Sequence, residues 1–301
     1  MPVDISVVVV HWNVPDLLAR CLKSIVAEVK RSELTANVIV VDSASPDRRY
    51  NEVVQAFAGV ELIELDVNRG YSAGCNAGIR DADSEAVLLL NPDTELLPGS
   101  LRKLRETLQL APHVGMTAPL LLNTDGSIQS AGYRFPGIAN VLFDLFPIHH
   151  RLGESPLNGR VPVRDGVQPL RIDYPLGAAM LVRRSALQAV GLLDESYGMY
   201  CEEIDLARRL ADAGWTTLLA PAARVIHHGG QSTSQRPDAM HEALWLSRAT
   251  YYQRFATFRQ CAVIAAIVEA GLRRADRRAT PARQAANARI RQRFRQIARS
   301  R

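Results

Sequence analysis

Four apolar runs alternate with segments of helical spacing in the first third of the chain, and this alternation leaves few folds open. The runs are ISVVVV, NVIVVD, VELIEL and AVLLL, at residues 5–10, 37–42, 60–65 and 86–90. The segments that follow them, near 15–30, 47–58, 71–79 and 98–110, have the apolar spacing of helices. Strands that are apolar on both faces predict an α/β fold, with a mostly parallel central sheet and helices on both of its faces.

Polar residues stand where each of these predicted strands ends. They are His11, Trp12 and Asn13 after the first run, Asp42 and Ser43 after the second, Asn68, Arg69 and Gly70 after the third, and Asn91, Pro92 and Asp93 after the fourth. Turns that cap helices use Asp, Asn and Ser, so capping alone is one explanation. Parallel sheets, however, bind ligands beyond the carboxyl ends of their strands, where all four groups would converge.

The pattern changes after residue 112. The sequence TDGS at 124–127 lies between two apolar runs and predicts a hairpin. Residues 135–170 have several Pro and Gly and little periodicity, which predicts a variable loop over the site. Residues 202–215 have helical spacing again, and Gly214 is placed to end that helix.

The composition is that of an ordinary soluble globular protein. The chain has 301 residues, 47% hydrophobic and 22% charged, enough for one large domain or two small ones. No secretory signal is expected, because no basic stretch precedes the first apolar run, and no apolar run is long enough to span a bilayer. The four cysteines are scattered without a CxxC pair. We expect them to be reduced packing residues of a cytoplasmic protein, with neither a disulfide framework nor a zinc site.

The net charge of +5 hides a basic C-terminus on a mildly acidic body. Eleven arginines against one acidic residue give residues 271–301 a net charge of +10, so residues 1–270 carry −5. Ile290, Phe294 and Ile297 share one helical face among these arginines, a pattern suited to an anionic membrane surface. The alternatives are a disordered solubilising tail and nucleic-acid binding by the same arginines. We expect the membrane surface, and no nucleic-acid partner.

Seven motifs lie between about residues 4 and 235. They are VVVVHWN, VVDSASPD, NRGYSAGCNAGI, LLLNPDTEL, GAAMLVRR, YGMYCEEIDLARRLADAGW and VIHHGGQS. In this order they resemble the family 2 glycosyltransferases, which are inverting enzymes of the GT-A fold, and in particular the rhamnosyltransferase branch. The resemblance implies a GT-A glycosyltransferase domain at 1–235, C-terminal helices at 236–272 and an arginine-rich tail, amphipathic or disordered, at 273–301.

The resemblance assigns the strand ends to a nucleotide-sugar donor. Asp42 matches the family's nucleotide-binding aspartate, which accepts from the imide N–H of uracil or thymine; a helix cap is its alternative role. In NRGYSAGCNAGI, small residues let the backbone approach the donor, while close helix–sheet packing is the alternative for the glycines. The donor-binding residues implied by the resemblance are His11, Asn13, Asp42, Asn68, Arg69, Gly74, Asn76 and Asn91.

The same resemblance implies a divalent cation, Mg²⁺ or Mn²⁺, at the fourth strand end. Asp93 matches the family's metal-binding acid, and Asn91 occupies the first position of the usual Asp-x-Asp motif, which removes one charge from the site. Carboxylate and diphosphate oxygens suit both cations. His227 is expected to complete the metal shell or to contact the diphosphate. His228 follows it, and the GGQS segment after them has the composition of a flexible lid.

Glu202 and Glu203 match the family's Glu-Asp element, with Glu203 in the Asp position. The resemblance implies that Glu203 is the catalytic base that takes the proton of the acceptor hydroxyl. Glu202 is its rival, because the longer side chain moves the carboxylate by about one bond length. The alternative for both is a structural role, as acids in the first turn of a helix.

The resemblance therefore implies an inverting, metal-dependent hexosyltransferase. We expect it to move rhamnose from dTDP-rhamnose to a glycan or lipid-linked glycan in cell-wall polysaccharide synthesis, peripheral to the inner face of the cell membrane. The alternatives are a UDP-hexose or galactofuranosyl transferase and a non-catalytic nucleotide-sugar-binding protein. A sugar nucleotidyltransferase would need a basic, glycine-rich phosphate loop, which the N-terminal VVVVHWNVPDLL lacks.

Overall fold

The computed structural model describes residues 3–146, 153, 155–163, 168–229 and 236–299. The strands in these ranges are β1 (Val3–His11), β2 (Ala36–Asp42), β3 (Val60–Glu64), β4 (Ser84–Leu90), β5 (Thr94–Leu96), β6 (Val114–Leu122), β7 (Ile128–Gln129), β8 (Gly132–Tyr133), β9 (Leu170–Ile172), β10 (Tyr174–Pro175), β11 (Ala179–Arg183) and β12 (Thr216–His227). The α-helices are α1 (Pro15–Ser32), α2 (Arg49–Gln55), α3 (Tyr71–Asp81), α4 (Ser100–Leu108), α5 (Ile138–Leu145), α6 (Arg184–Val190), α7 (Glu202–Asp212), α8 (Pro237–Phe255), α9 (Phe258–Asp276) and α10 (Pro281–Ile297).

One mixed, mostly parallel sheet forms the centre of the molecule. Its main strand order is β3-β2-β1-β4-β11-β6-β12-β5, with β7 beside β6 and β9 beside β12. β1 pairs in parallel with β2 on one side and β4 on the other, and β3 continues the parallel set. β11 is antiparallel to β4 and β6, and β12 lies parallel to β6. The predicted α/β fold with a mostly parallel sheet is confirmed.

Helices cover both faces of the sheet, which explains why its strands are apolar without alternation. On β1, Val7 and Val9 belong to a core shared with α1, α2 and α4. Val8 and Val10 belong to a second core, beneath α3, α6 and α7. All four cysteines are free and buried, as predicted for packing residues.

The direction of the strands brings the predicted binding ends together. β1, β2, β4 and β12 run the same way, so their carboxyl ends meet at one edge of the sheet. The antiparallel β5 begins at this edge, where its first residue, Thr94, pairs with His227 at the end of β12. His11, Asn91, Asp93 and His227 therefore converge on one side of the molecule, as the strand endings predicted.

The middle of the chain confirms two of the sequence predictions and departs from a third. The hairpin is confirmed, since Leu121 pairs with Gln129 around the turn at 123–127, and so is helix α7, which is followed by Gly214 at φ +86°. The loop predicted over 135–170 is wrong in part, because α5 and a 3-10 helix (Pro156–Asn158) lie within it. Residues 147–152, 154 and 164–167 of that segment lie outside the described ranges. α5 was missed because it is short and mostly apolar, which leaves no clear amphipathic period.

A third core lies between α5 and the C-terminal helices α8, α9 and α10. Ile290, Phe294 and Ile297 of α10 are all buried in it. The alternative of a disordered tail is therefore wrong for residues 281–297, and the apolar face expected to meet a membrane packs against α8 and α9 instead. α9 also crosses the expected boundary between residues 272 and 273. None of the described helices is long and apolar enough to cross a membrane.

Gly78 allows α3 to lie directly on β1. A Cβ atom at this position would lie 2.4 Å from Cγ1 of the buried Val8. We expect Gly78→Ala to lower the free energy of unfolding by about 1–3 kcal/mol, because the added methyl group overfills a close-packed core. Urea unfolding measures this difference.

Val8→Ala provides the control for that prediction. It removes the atoms that the new methyl group would meet, so Gly78→Ala should cost less in the Val8→Ala background than in the wild type. An equal cost in both backgrounds would show that close packing on Val8 is not the reason for a glycine here.

Candidate active site

A cavity of about 370 Å³ opens at the carboxyl edge of the sheet. It brings together seven of the residues that the sequence nominated: His11, Asn68, Asn91, Asp93, Glu202, Glu203 and His227. The remaining five, Asn13, Asp42, Arg69, Gly74 and Asn76, do not line it. The GGQS lid falls largely in residues 230–235, which lie outside the described ranges.

Asp93 and His227 face each other in this cavity. Nε2 of His227 lies 3.5 Å from Oδ1 of Asp93, and that oxygen is buried without a hydrogen-bond partner among the described residues. On the other side of the ring, the Nδ1–H of His227 donates to Oε1 of Gln129 at 2.8 Å. This hydrogen bond leaves a lone pair on Nε2. Burial lowers the pKa of His227 although the charge of Asp93 acts to raise it, so burial favours the neutral ring.

These two side chains fit a divalent cation. An unpaired carboxylate oxygen and an imidazole lone pair point at the same space, and a hydrogen bond from the far side of the ring fixes its orientation. No group of three or more acidic, His or Cys side chains that could hold a metal occurs among the described residues. In phosphoryl chemistry Mg²⁺ is usually bound by one or two protein groups together with substrate phosphates and water, so one carboxylate and one imidazole would be a sufficient protein contribution. An imidazole ligand favours Mn²⁺ over Mg²⁺.

Glu202 and Glu203 open helix α7 and line the same cavity. Oε2 of each carboxylate is buried without a hydrogen-bond partner among the described residues. Burial raises the pKa of Glu203 to about 7. Burial, and then the charge of Glu203, raise the pKa of Glu202 well above its usual value. A carboxylate with a pKa near neutrality is suited to take a proton from a substrate, and Glu203 therefore has the properties of a general base.

A strained turn delivers these two carboxylates. Tyr200 and Cys201, directly before Glu202, both have left-handed backbone angles, at φ +69° and φ +68°. For non-glycine residues this conformation costs on the order of 1–3 kcal/mol each and is held by surrounding structure. Cys201 is buried in the third core, and the backbone carbonyl of Met199 accepts from the hydroxyl of Ser247 on α8 at 2.7 Å. Nothing in the sequence marks this turn, because it contains no glycine at the strained positions.

A network of ion pairs centred on the buried Asp205 holds α7 in place. Asp205, fully buried on this helix, accepts from Nε of Arg209 at 2.6 Å and from Nη1 of Arg254 at 2.9 Å. Arg254 belongs to α8 and also bonds Asp194 at 2.9 Å. The i, i+4 spacing of Asp205 and Arg209 is visible in the sequence. The role of Arg254 depends on tertiary structure, and sequence reasoning missed it.

Asp42 and His11 form a rigid pair beside the cavity. Val14 N–H donates to Nε2 of His11 at 3.0 Å, so the Nδ1–H of the ring donates to Oδ1 of Asp42 at 2.8 Å. Asp42 also accepts from the hydroxyl and the backbone N–H of Ser45, at 2.6 Å and 2.9 Å. Burial acts to raise the pKa of Asp42, but the hydrogen bonds from His11 and Ser45 outweigh it and lower this pKa. The pair links the ends of β1 and β2 and fixes the His11 ring in the cavity wall.

The other nominated donor residues serve the structure in different ways. A Cβ at Gly74 would lie 2.6 Å from Cγ1 of Val10, so this glycine is needed for helix–sheet packing. The amide of Asn76 donates to the carbonyl of Leu193 at 2.8 Å and accepts from its N–H at 3.1 Å, which holds the segment before α7. The structure thus gives these two residues a structural role, and the donor contact expected for them stays a prediction.

Of the last three nominated residues, Asn68 lines the cavity, whereas Arg69 and Asn13 do not. Asn68 lines the cavity and accepts from the N–H of Gly70 at 2.9 Å. Arg69 is exposed. Asn13 has a left-handed backbone at φ +56°, and its N–H donates to Ser45 Oγ at 2.8 Å.

The chain belongs to glycosyl transferase family 2, because the model of that family matches residues 6–190, more than half of its length. Among its relatives is the N-acetylglucosaminyl-diphospho-decaprenol L-rhamnosyltransferase of Mycobacterium tuberculosis, 30% identical over 251 residues, 77% of this chain and 78% of the relative. Rhamnosyltransferase WbbL of Escherichia coli is 26% identical over 234 residues, 74% of this chain and 83% of the relative. The resemblance to the rhamnosyltransferase branch is thereby confirmed.

Solved structures confirm the GT-A fold. GalNAc-T7 with UDP, GalNAc and Mn²⁺ superposes with a TM-score of 0.61 at 18% identity, over 75% of this chain and 43% of that one. The mannosyltransferase PcManGT from Pyrobaculum calidifontis, in complex with GDP-Man and Mn²⁺, superposes with a TM-score of 0.56 at 18% identity, over 99% of this chain and 85% of that one. At these identities the likeness establishes the fold alone.

The raised pKa of Glu203 predicts a pH dependence of stability. Between the ordinary pKa of 4.5 and the folded value of about 7, the folded protein keeps a proton that the unfolded chain has lost. The contribution of this group to stability is therefore full below the lower value and is lost as the pH rises through the upper one. Gln has nearly the same shape as Glu and cannot ionise. The free energy of unfolding of Glu203→Gln, relative to that of the wild type, should therefore rise from about pH 5 to about pH 8.

Urea unfolding across this pH range measures the difference between the variant and the wild type. The same change at the exposed Glu61 of β3 is the matched control. A difference at Glu203 that stays constant, or that shrinks as the pH rises, would contradict the burial of an ionisable carboxylate at this site.

Proposed function

We propose that this family 2 glycosyltransferase is an inverting enzyme that moves rhamnose from dTDP-rhamnose to a lipid-linked glycan in cell-surface polysaccharide synthesis. One observation carries the proposal: a single cavity holds both Glu203, with its raised pKa, and the Asp93–His227 pair with its unpaired oxygen. An inverting transfer needs both functions, a base for the acceptor and a site of positive charge for the departing diphosphate.

In the proposed reaction, the acceptor hydroxyl oxygen forms a bond to C1 of the sugar while the bond from C1 to the diphosphate oxygen breaks on the opposite face. Glu203 accepts the hydroxyl proton, and the electron pair of the broken bond leaves with the nucleoside diphosphate. A pKa of about 7 leaves a large fraction of Glu203 ionised at neutral pH and still gives it affinity for the proton. The raised pKa of Glu202 favours its protonated form, so Glu202 serves the site as a neutral neighbour.

Asp93 and His227 would hold the cation, and Gln129 fixes the tautomer of the histidine. When bound, the cation supplies positive charge that offsets the charge building on the leaving diphosphate. Asn91 contributes no charge, so the protein's share of the site is one carboxylate and one imidazole, and the rest of the shell falls to the donor and water.

The relatives support the choice of donor and acceptor. The names of both the M. tuberculosis and the E. coli protein refer to rhamnosyl transfer, and the first also refers to a diphospho-decaprenol acceptor. A lipid-linked acceptor would place this protein at the inner face of the cell membrane. A UDP-hexose or galactofuranosyl donor is the alternative within the same fold.

Replacing Glu203 by Gln is expected to lower kcat by roughly 10²–10⁴, because the acceptor proton loses its base. The affinity for dTDP, measured by calorimetry, should change little. In the wild type, kcat should rise with pH through about 7 and then level off, since only the ionised carboxylate accepts a proton.

Glu202→Gln is the matched control for this experiment and should retain most of the turnover. Unchanged turnover in Glu203→Gln would remove Glu203 from the mechanism, and a loss confined to Glu202→Gln would transfer the role to its neighbour. Donor binding without turnover in the wild type, with acceptor lipid present, would favour a non-catalytic nucleotide-sugar-binding protein.

Metal dependence and donor choice are tested together. Release of the nucleoside diphosphate is assayed over a panel containing dTDP-rhamnose, UDP-hexoses and UDP-galactofuranose, with and without EDTA. We expect turnover with dTDP-rhamnose that EDTA abolishes and Mn²⁺ restores. Preferred turnover of a UDP-sugar would replace the proposed donor.

Calorimetry in the presence of dTDP measures the affinity for Mn²⁺. This affinity should fall by roughly 10–100-fold in Gln129→Leu, because the substitution removes the hydrogen bond that orients His227. It should fall further in Asp93→Asn. Glu95→Gln is the control, because Glu95 pairs with His228 at 2.8 Å and lies only two residues from Asp93. Equal Mn²⁺ affinity in all three variants would place the cation elsewhere.

A further inference from the structure

Helix α9 has an outward face that the C-terminal core does not cover. Its inward residues, including Ile264, Val268 and Leu272, are buried in the third core. The opposite side nevertheless begins with large apolar residues: Phe258 and Val263 are each 46% exposed. Ala262, Ala266 and Ala270 continue this exposed face along the helix. A helix that is apolar on both sides buries one of them in its own protein and leaves the other for a partner.

Arginines stand at both ends of this apolar stretch. Arg259 lies beside Phe258, and Arg274, Arg277 and Arg278 follow the last alanine. All four are exposed, and none forms an ion pair with any of the described residues. Their charges are therefore available to an external anion.

The acidic residues of α9 do not cancel this charge. Glu269 pairs with Arg273 at 2.6 Å and with Arg295 of α10 at 2.8 Å. Asp276 pairs with Arg291 of α10. Both acids are thus matched by other arginines, and the outward face keeps a net positive charge.

A neighbouring helix extends the apolar surface. α5 packs tightly on α9 at Gly271, where a Cβ would lie 2.7 Å from Cβ of Leu145. α5 also leaves Leu142 39% exposed. The guanidinium of Arg274 lies 5.9 Å from the ring centroid of Phe146, just beyond α5, so the basic end of α9 adjoins this second helix. Exposed Phe, Val and Leu beside unpaired arginines form the pattern of a surface that enters the headgroup region of a bilayer.

The charges argue against a second copy of the chain as the occupant. If two α9 faces paired side by side, in either direction, the arginines at the ends of one stripe would lie next to those of the other. Like charges placed together destabilise such an interface. An anionic bilayer suits both the apolar side chains and the arginines of this face, because its interior accepts the former and its headgroups neutralise the latter.

We propose that the outward face of α9, with the exposed edge of α5, docks the protein on an anionic lipid bilayer. This assigns the membrane contact to residues 258–278 and not to α10, whose apolar residues are buried in the third core. The inference complements the lipid-linked acceptor proposed above, but its test measures vesicle binding without sugar transfer. A failure to bind vesicles would therefore not contradict the proposed sugar transfer, and a lack of sugar transfer would not contradict the proposed docking surface.

The test is flotation of the full chain with vesicles of phosphatidylcholine, with and without phosphatidylglycerol. We expect binding only to the anionic vesicles, and weaker binding as the salt concentration rises. Arg274→Gln/Arg277→Gln should lower the partition coefficient roughly 30-fold. Phe258→Ser/Val263→Ser should lower it by roughly tenfold.

Matched controls change the same residue types elsewhere. Arg20→Gln/Lys23→Gln removes two exposed charges from α1, and Leu110→Ser/Leu157→Ser removes two exposed leucines. Both controls should bind vesicles like the wild type. Circular dichroism and urea unfolding check that all four variants fold, as expected for changes at exposed positions.

Three outcomes would overturn the proposal. The first is a wild-type chain that ignores anionic vesicles at low salt, and the second is equal loss of binding in the controls and the α9 variants. The third is a dimer, detected by light scattering, that Phe258→Ser/Val263→Ser dissociates, which would assign this face to a second copy of the chain.

Discussion

Strand β1 is hydrogen-bonded along both edges to strands that run in its own direction, and this pairing places the functional groups at the strand ends. Parallel pairing forces the chain to return by helices, so both faces of the sheet become covered and its strands become apolar throughout. The edge where these strands end is then the place left for polar side chains. His11 and Asp93 owe their proximity to this arrangement, and β12 joins it by running parallel to β6 and ending in His227.

The cavity concentrates the polar atoms that the fold leaves unsatisfied. Six buried side-chain atoms lack a hydrogen-bond partner among the described residues, and four of them belong to residues of the cavity wall: Ser43, Asp93, Glu202 and Glu203. Each such atom costs on the order of 1–3 kcal/mol in a folded protein. Two left-handed residues before Glu202 add backbone strain at the same place. Most of these costs therefore fall in one cleft, as expected of a site prepared for a charged ligand.

Much of the fold and of the site could be predicted from the sequence, because both depend on local patterns. The apolar runs of β1, β2 and β4 gave the parallel sheet, and the polar residues after them gave the cavity edge. Prediction failed where tertiary contacts decide. α5 is too short and too apolar to show a helical period, and the apolar side of α10 has the same sequence pattern whether it meets a membrane or another helix.

The donor-binding residues show the same limit at a finer scale. Gly74 and Asn76 lie in a motif for which the sequence predicts both ligand contact and packing on the sheet, and spacing alone does not separate the two roles. Their roles depend on which side of α3 faces β1, which follows from the packing against Val10 and from the hydrogen bonds to Leu193. Arg254 was missed for a related reason, since its partner Asp205 is distant in sequence and only the fold brings them together.

The bond between Arg254 and Asp205 has a consequence for the modularity of this enzyme. The match to the family ends at residue 190, before Glu202 and Glu203, while one of the two guanidinium groups that pair with Asp205 on their helix comes from α8. A fragment that ends after residue 235 would keep the buried Asp205 and Arg209 but would lack Arg254, the second cationic partner of this aspartate. A foreign C-terminal segment joined to this chain would therefore need a cation at the position of Arg254 to keep Asp205 paired on both sides.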